Sequence, residues 1–185
     1  MRKLVYSMLV SLDGYVTSPD GGLDWARPDE DLHRHANDEL REAGAELYGR
    51  RMWETMAAHW PTADQDPEIS EWEREFALLW QASEKVVFSS TLTEVEGETR
   101  LVREDAVEEI RKLKEQHGGP LAISGPTVAA AAVRAGLVDE YRLYLHPVVL
   151  GGGLRYLPDL DESLELELAE ERRFDSGVTY LRYLA

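Results

Sequence analysis

The chain has 185 residues, 43% of them hydrophobic, which suits a single domain with one buried core over residues 1–185. Its 36 acidic and 20 basic residues give a formal net charge of -16, so its overall field repels nucleic acid and anionic membranes. The absence of cysteine excludes disulfides and cysteine-based metal sites. Because no signal-like start or membrane-length apolar run is visible either, we expect a cytoplasmic protein.

Strand and helix patterns alternate over the first two-thirds of the chain. Short apolar runs predict strands at 3–10, 45–48, 85–88 and 121–123. Apolar residues at helical spacing, with polar, turn-forming and capping residues between them, predict helices at 31–43, 50–58, 70–81, 106–117 and 126–135. This alternation predicts parallel strands joined by crossover helices.

The last third of the chain has a different pattern. After residue 138 the helical spacing ends, and strands are predicted at 141–149, 164–168 and 178–183. The linker between the last two is short enough for an antiparallel pair. We therefore expect an α/β fold, with a mixed, mostly parallel sheet, antiparallel C-terminal strands and helices on both faces.

Four of the predicted strands stop at a small residue before a helix or loop: Ser11, Gly49, Ser89 and Ser124. The carboxyl ends of parallel strands lie on one edge of a sheet, where ligands bind. Small residues let a ligand approach the backbone, and the free N–H groups of a helix start attract anions. Each residue alone is also an ordinary turn or cap residue, so it is the repetition that indicates a ligand cleft.

Two segments are candidate phosphate sites in this acidic chain. In the first, Gly49 precedes Arg50 and Arg51, and two arginines in the first turn of a helix are unfavourable unless an anion compensates for the helix dipole. A phosphate would compensate; the alternative is an ion pair of Arg50 with Glu46 or Glu54. The second is the 124–128 segment, where Gly125 precedes a helix start with free N–H groups.

Other site classes have little support. His33 and His35 are two residues apart and point to different faces of a helix, so no metal site is predicted. The chain also lacks a P-loop and a nucleophile elbow, which argues against kinase and hydrolase functions.

Several segments, in this order and spacing, resemble the dihydrofolate reductase-like family that includes the C-terminal reductase domain of the riboflavin deaminase-reductase. They are Ser-Leu-Asp-Gly-Tyr-Val at 11–16, Leu-Asp-Trp at 23–25, Tyr-Gly-Arg-Arg-Met-Trp-Glu at 48–54, Lys-Val-Val-Phe-Ser-Ser-Thr-Leu at 85–92, Gly-Leu-Val-Asp-Glu-Tyr at 136–141 and Pro-Val-Val-Leu-Gly-Gly-Gly at 147–153. The resemblance runs from end to end and implies a three-layer dihydrofolate reductase-like fold.

The resemblance implies an NADPH cofactor, with NADH possible, and assigns its contacts by position. Leu9 and Val16 would border the nicotinamide; the phosphates would meet Gly49, Arg50 and Arg51; the adenosine ribose would meet Ser89 and Ser90; and the pyrophosphate would meet Ser124, Gly125, Pro126, Thr127 and Val128. Relatives usually have Thr where Met52 stands and often have Arg where Ser90 stands, which weakens the expectation for NADPH over NADH. The family also implies a cis peptide bond between Ser124 and Gly125.

The implied activity is hydride transfer to a small heterocyclic substrate, similar to that of the 5-amino-6-(5-phosphoribosylamino)uracil reductase of riboflavin biosynthesis. A dihydrofolate or pterin reductase and a non-catalytic nucleotide-binding module are the alternatives. Asp13 is the candidate proton donor, although Asp13-Gly14 is also a strong turn dipeptide; an acid at 29–31 or a water are the other options. We also expect a homodimer, because the apolar face of Leu164, Leu166 and Leu168 must be covered.

Overall fold

A single eight-stranded sheet runs through the computed structural model, which describes residues 1–185. Its strands are β1 (Leu4–Ser11), β2 (Ala45–Gly49), β3 (Lys85–Phe88), β4 (Thr99–Val102), β5 (Leu121–Ser124), β6 (Glu140–His146), β7 (Glu167–Arg173) and β8 (Thr179–Leu184). Their order across the sheet is β4-β3-β2-β5-β1-β6-β8-β7. All neighbours are parallel except for β8, which is antiparallel to both β6 and β7. The predicted mixed α/β fold is confirmed.

Five helices connect these strands: α1 (Glu30–Glu42), α2 (Arg50–Ala57), α3 (Glu71–Ala82), α4 (Ala106–Glu115) and α5 (Pro126–Arg134), with a short 3-10 turn at Ala63–Gln65. Side chains of Asp29, Ser70 and Asp105 cap the first turns of α1, α3 and α4. In contrast, α2 and α5 begin after Gly49 and Gly125, which provide no side-chain cap. The N–H groups at these two helix starts therefore remain available to a ligand. No helix combines the length and the apolar character that a membrane crossing requires.

Three strands differ from the sequence prediction. The strand predicted at 141–149 ends at His146. The short edge strand β4 was not predicted, because it is four residues long, includes Arg100 and is only partly buried. The predicted strand at 164–168 instead begins at Glu167 and extends to Arg173 with every residue exposed. Its position follows from pairing with β8 through the turn between Phe174 and Val178, and not from the Leu-Glu alternation that precedes it.

The apolar core lies on both faces of the sheet. One cluster includes Tyr6, Ile110, Ile123 and Val133 and packs α4 and α5 against one face. A second cluster, around Tyr48, Trp53 and Trp80, lies under α2 and α3 on the other face. A third joins Leu32 of α1 to Tyr144 and Tyr180 of β6 and β8. The helices therefore cover both faces, as predicted.

The segment at 147–156 is fastened to β1 and to the loop that follows it. The rings of Tyr6 and Tyr156 are stacked with centroids 4.3 Å apart, and each hydroxyl donates to the other residue's carbonyl oxygen at 2.9 and 3.0 Å. Farther along, the Val16 N–H donates to the Leu154 carbonyl oxygen at 2.8 Å. Gly153 makes the closest approach, because a Cβ at this position would lie 1.8 Å from the Thr17 carbonyl oxygen. Together these contacts hold the loop after β1 against the 147–156 segment.

Replacing Gly153 with alanine should therefore destabilise the protein strongly. The residue has φ +123°, and the added methyl group would force the backbone of the loop to move, so we expect a loss of at least about 3 kcal/mol in the free energy of unfolding. Gly151→Ala is the matched control. Its φ is +73°, and no atom lies near its Cβ position, so we expect a cost of about 1 kcal/mol. Urea denaturation measures both values, and equal costs would show that the close approach is unimportant.

Candidate active site

A cavity of about 320 Å³ lies beneath α1, on the face of the sheet opposite α4 and α5. It extends from Leu9 and Ser124, near the carboxyl ends of the central strands, to Val5, Glu46 and Ala122, near their amino ends. Of its 25 lining residues, 16 are hydrophobic, as is typical of a small-molecule site. A second groove of similar size, beside β4 and α4, is lined mostly by charged side chains that form ion pairs with one another. It offers few apolar contacts to a heterocycle.

Aromatic side chains line the cavity beside α1 and α3. The rings of Trp60 and Phe76 lie 4.4 Å apart, and the His33 ring meets the Phe76 ring edge-on at 5.4 Å. Aliphatic side chains complete this part of the wall: Leu9, Val16, Leu23, Leu32, Met52 and Met56. Flat aromatic and flexible thioether surfaces suit a planar ring system. The predicted nicotinamide neighbours, Leu9 and Val16, both border this cavity.

Two glycine turns meet at the carboxyl edge of the sheet. Because β2 and β5 pair Tyr48 with Ser124, the following residues, Gly49 and Gly125, are also neighbours. A Cβ on Gly125 would lie 3.3 Å from Met52 Cβ and 3.6 Å from the Gly49 nitrogen, and one on Gly49 would lie 3.3 Å from Val128 Cγ1. The uncapped starts of α2 and α5 are thus brought together. This arrangement of small residues and free N–H groups fits a pyrophosphate.

The two arginines at the start of α2 differ in their surroundings. Arg50 Nε donates to Glu54 at 2.7 Å, which is the ion pair considered as the alternative to a phosphate, and Arg50 Nη1 donates to Thr91 Oγ1 at 2.9 Å. The exposed side chain of Arg51 forms no ion pair. Arg51 is therefore the cation in this turn that remains free to meet an anion.

The other predicted cofactor contacts lie in a turn, on the surface and in the core. Ser89 Oγ accepts from the N–H groups of Thr91 and Leu92 at 3.2 and 3.0 Å, so this side chain is occupied by its own turn. Ser90 and Thr127 are exposed, and Val128 is buried in the main core cluster.

The geometry after β5 differs from the expectation. The predicted cis bond between Ser124 and Gly125 is wrong, because the chain contains no cis peptide. Gly125 instead turns the chain with φ +105°, a conformation open to glycine, and Pro126 is the first residue of α5.

The Asp13 side chain is part of the clamp between two loops. It accepts hydrogen bonds from Ser11 Oγ at 2.7 Å, from the Gly151 N–H at 2.7 Å and from the Leu150 N–H at 3.1 Å. The Ser11 hydrogen bond and the two backbone donors lower the pKa of Asp13 to about 2. An ionised acceptor with three donors does not favour the role of proton donor, and these contacts support the turn role considered from the sequence.

The acidic group at the start of α1 is also occupied by other partners. Asp29 caps α1, Glu30 pairs with Arg34, and Asp31 pairs with Arg172. None of the three lines the cavity. They therefore offer no proton donor to a ligand bound there.

Sequence reasoning missed the charged residues at the far end of the cavity, here called the inner end: Glu39, Glu42, Glu46 and Arg142. Glu46 is 6% exposed, and its Oε2 accepts from the Tyr48 hydroxyl at 3.1 Å. Burial raises its pKa to about 7. The available signal was the position of Glu46 between Ala45 and Leu47, in a strand whose other side chains are apolar or aromatic.

The buried carboxyl of Glu46 should make stability depend on pH. The pKa is about 7 in the folded chain and 4.5 unperturbed, so the folded state binds the proton more tightly and loses stability as the pH rises through this interval. Glu46→Gln removes the ionisation. We therefore expect the free energy of unfolding of the variant, relative to that of wild type, to rise by about 2–3 kcal/mol from pH 5 to pH 8. Urea denaturation at both values tests this; a constant difference would contradict the raised pKa. Glu108→Gln, on the exposed surface of α4, is the control.

Known proteins that resemble this chain match it over almost its whole length. The family model described as the RibD C-terminal domain matches residues 2–180. The uncharacterized protein YyaP of Bacillus subtilis is 31% identical over 183 residues, covering 98% of this chain and 94% of YyaP. The chain also resembles the crystal structure of a riboflavin biosynthesis protein, named as putative, from Shewanella sp. PV-4, with a TM-score of 0.75, 23% identity and coverage of 100% and 98%.

A second solved structure connects the fold to a known cofactor complex. Dihydrofolate reductase from Enterococcus faecalis, complexed with NADP(H), has a TM-score of 0.66 and 17% identity, with coverage of 98% of this chain and 95% of that one. At this identity the likeness shows a shared fold. It confirms the dihydrofolate reductase-like architecture expected from the sequence.

Proposed function

Because the chain belongs to the RibD C-terminal domain family, we propose that residues 1–185 form one NAD(P)H-dependent reductase domain acting on a small heterocyclic substrate. The observation that carries this proposal is the contact between the Gly49 and Gly125 turns beside an apolar cavity. The two uncapped helix starts offer N–H donors for a dinucleotide, and the cavity offers space for a ring next to it.

The residues of the chain supply binding and exclusion of water. Gly49, Gly125 and Arg51 would hold the phosphates, Leu9 and Val16 would border the nicotinamide, and the aromatic wall would hold the substrate ring. A reduced nicotinamide supplies the hydride when bound. The apolar lining then excludes water from the reacting atoms. With Asp13 engaged as an acceptor, we assign the proton to a water, the other option considered from the sequence.

Two substrate classes follow from the family and the fold. A substrate like 5-amino-6-(5-phosphoribosylamino)uracil is favoured by the match to the RibD domain, and a pterin such as dihydrofolate by the likeness to dihydrofolate reductase. A third possibility is a nucleotide-binding module without turnover. It is favoured by Met52, which provides no hydroxyl at the phosphate turn.

Titration with NADPH and NADH tests the proposal. Both dinucleotides should quench tryptophan fluorescence in a saturable manner, and the preference for NADPH should be modest because Ser90 carries no guanidinium for the 2′-phosphate. Binding of neither would overturn the proposal, whereas binding without oxidation by any candidate heterocycle would favour the module. Discrimination beyond about a thousandfold, or about 4 kcal/mol, would mean that another basic residue holds the 2′-phosphate.

Arg51→Ala should weaken dinucleotide binding. A charge-assisted hydrogen bond to phosphate contributes about 1–3 kcal/mol, so we expect the dissociation constant to rise by about 5- to 150-fold, with a smaller effect at high salt. Arg111→Ala, on the exposed surface of α4, is the control. If both variants bind as wild type does, Arg51 is not a phosphate ligand.

We further propose that the chain forms a homodimer through the β7 edge of the sheet. Leu164 and Leu168 are 41% and 47% exposed there, whereas Leu166 packs against the main core, so the three do not form a single face. An exposed edge strand with apolar neighbours favours pairing with a second copy.

Light scattering should therefore give about twice the 21.0 kDa of the chain. Leu168→Asp should shift the mass to that of the monomer. Leu78→Asp, at an equally exposed position on α3, should leave it unchanged. A wild-type monomer at micromolar concentration would refute the proposal.

A further inference from the structure

Two side chains in contact with each other each have a buried ring nitrogen without a hydrogen-bond partner: Trp25 Nε1 and His146 Nε2. The two rings meet at 86°, with their centroids 5.2 Å apart, and His146 is only 4% exposed. Leaving a buried polar atom without a partner is costly. A single hydrogen bond between the two rings would remove both costs, provided that one nitrogen donates and the other accepts.

The backbone of β6 determines which nitrogen of His146 carries the proton. His146 Nδ1 lies 2.9 Å from the Tyr144 carbonyl oxygen, and because a carbonyl oxygen only accepts, Nδ1 is the donor. In the neutral ring Nε2 therefore has a lone pair, whereas Trp25 Nε1 can only donate. A hydrogen bond of about 3 Å fits the distance between the centroids, since both nitrogens lie on the rims of their rings.

Trp25 belongs to the 18–28 segment, which is weakly attached to the rest of the molecule. Every hydrogen bond of this segment joins two of its own residues. The preceding residues, 12–17, are in contrast hydrogen-bonded to the 148–154 backbone. Leu23 and Pro28, on either side of Trp25 in the chain, line the cavity. A hydrogen bond from Trp25 to β6 would therefore fix this part of the cavity wall.

The protonation state of His146 decides whether such a bond can form. The titratable side chains on the neighbouring segments are exposed or have other partners: Asp13, Asp24, Arg27, Asp29, His35 and Asp175. Burial lowers the pKa of the His146 imidazole, and the hydrogen bond to the Tyr144 carbonyl opposes this effect. The neutral ring therefore predominates at neutral and alkaline pH. In acid, Nε2 takes up a proton and becomes a donor, which cannot pair with the indole N–H.

We propose that Trp25 Nε1 donates a hydrogen bond to Nε2 of neutral His146, and that this bond fixes residues 18–28 beside the cavity for ligand binding. His146 is then a positioning residue that acts through Trp25. The effect on binding rests on the proposed dinucleotide site, whereas the hydrogen bond itself does not.

Nuclear magnetic resonance of the isotope-labelled full chain tests the bond without any ligand. At about pH 8, where the imidazole is neutral, we expect a scalar coupling across the hydrogen bond between Trp25 Nε1 and His146 Nε2. The Trp25 signal is identified by its loss in Trp25→Phe. Lowering the pH should remove the coupling as Nε2 takes up its proton. Absence of the coupling while His146 is neutral would overturn the bond.

Calorimetric titration with NADPH tests the positioning role. Trp25→Phe keeps an aromatic ring but has no N–H, so it should weaken binding about fivefold at about pH 8, as expected for the loss of one hydrogen bond. This ratio should fall toward one as the pH is lowered through the titration of His146, because wild type then loses the same bond. A ratio that is independent of pH, or equal to one at pH 8, would reject the role.

Trp72→Phe is the matched control. Trp72 is a partly buried residue of α3 and does not line the cavity, so the variant should bind NADPH as wild type does at every pH.

Hydrogen exchange separates failure of this inference from failure of the proposed function. Absence of NADPH binding in wild type would reject the reductase proposal and leave the attachment of the 18–28 segment to be measured directly. The Ser18 and Ala26 amides, which are hydrogen-bonded within the segment, should then exchange about fivefold faster in Trp25→Phe than in wild type or Trp72→Phe. Equal exchange rates in all three proteins would show that Trp25 does not fix the segment.

Discussion

The parallel pairing of β2 with β5 is the constraint on which the candidate site depends. It aligns Tyr48 with Ser124, so both strands end at the same level and each continues through a glycine into a helix. Neither glycine could be replaced without forcing a Cβ into contact distance of the other turn. The fold thus brings two helix starts together with their N–H groups uncapped, and a dinucleotide would satisfy those groups in place of side chains.

The parts of the fold that follow local rules were predictable. Strands β3 and β5 and helix α5 have the apolar runs and stop residues that define their limits, and their predicted and observed bounds differ by no more than one residue. The edge strands were not predictable in the same way. Residues of β4 and β7 gain their extended conformation from hydrogen bonds to β3 and β8, and the alternation at 164–168 did not mark the paired residues.

The candidate site shows the same division. Glycines and serines at strand ends pointed to the cofactor edge, because strand polarity alone places them together. The inner end could not be found this way, since its members come from α1, β2 and β6, and only the packed structure brings Glu39, Glu46 and Arg142 to one cavity. The partner of Arg50 was likewise open in the sequence, where Glu46 and Glu54 were both within reach. In the structure Glu54 pairs with Arg50, whereas Glu46 lines the cavity.

The Asp13 clamp has a consequence for kinetic measurements. Its carboxylate fastens the loop after β1 to the 150–151 backbone and stays ionised far below neutral pH. This part of the wall therefore keeps its shape from weakly acidic to alkaline solution. A pH profile of turnover in that range would report on other groups, among them Glu46, whose pKa lies near 7, and His33, whose pKa is lowered by burial.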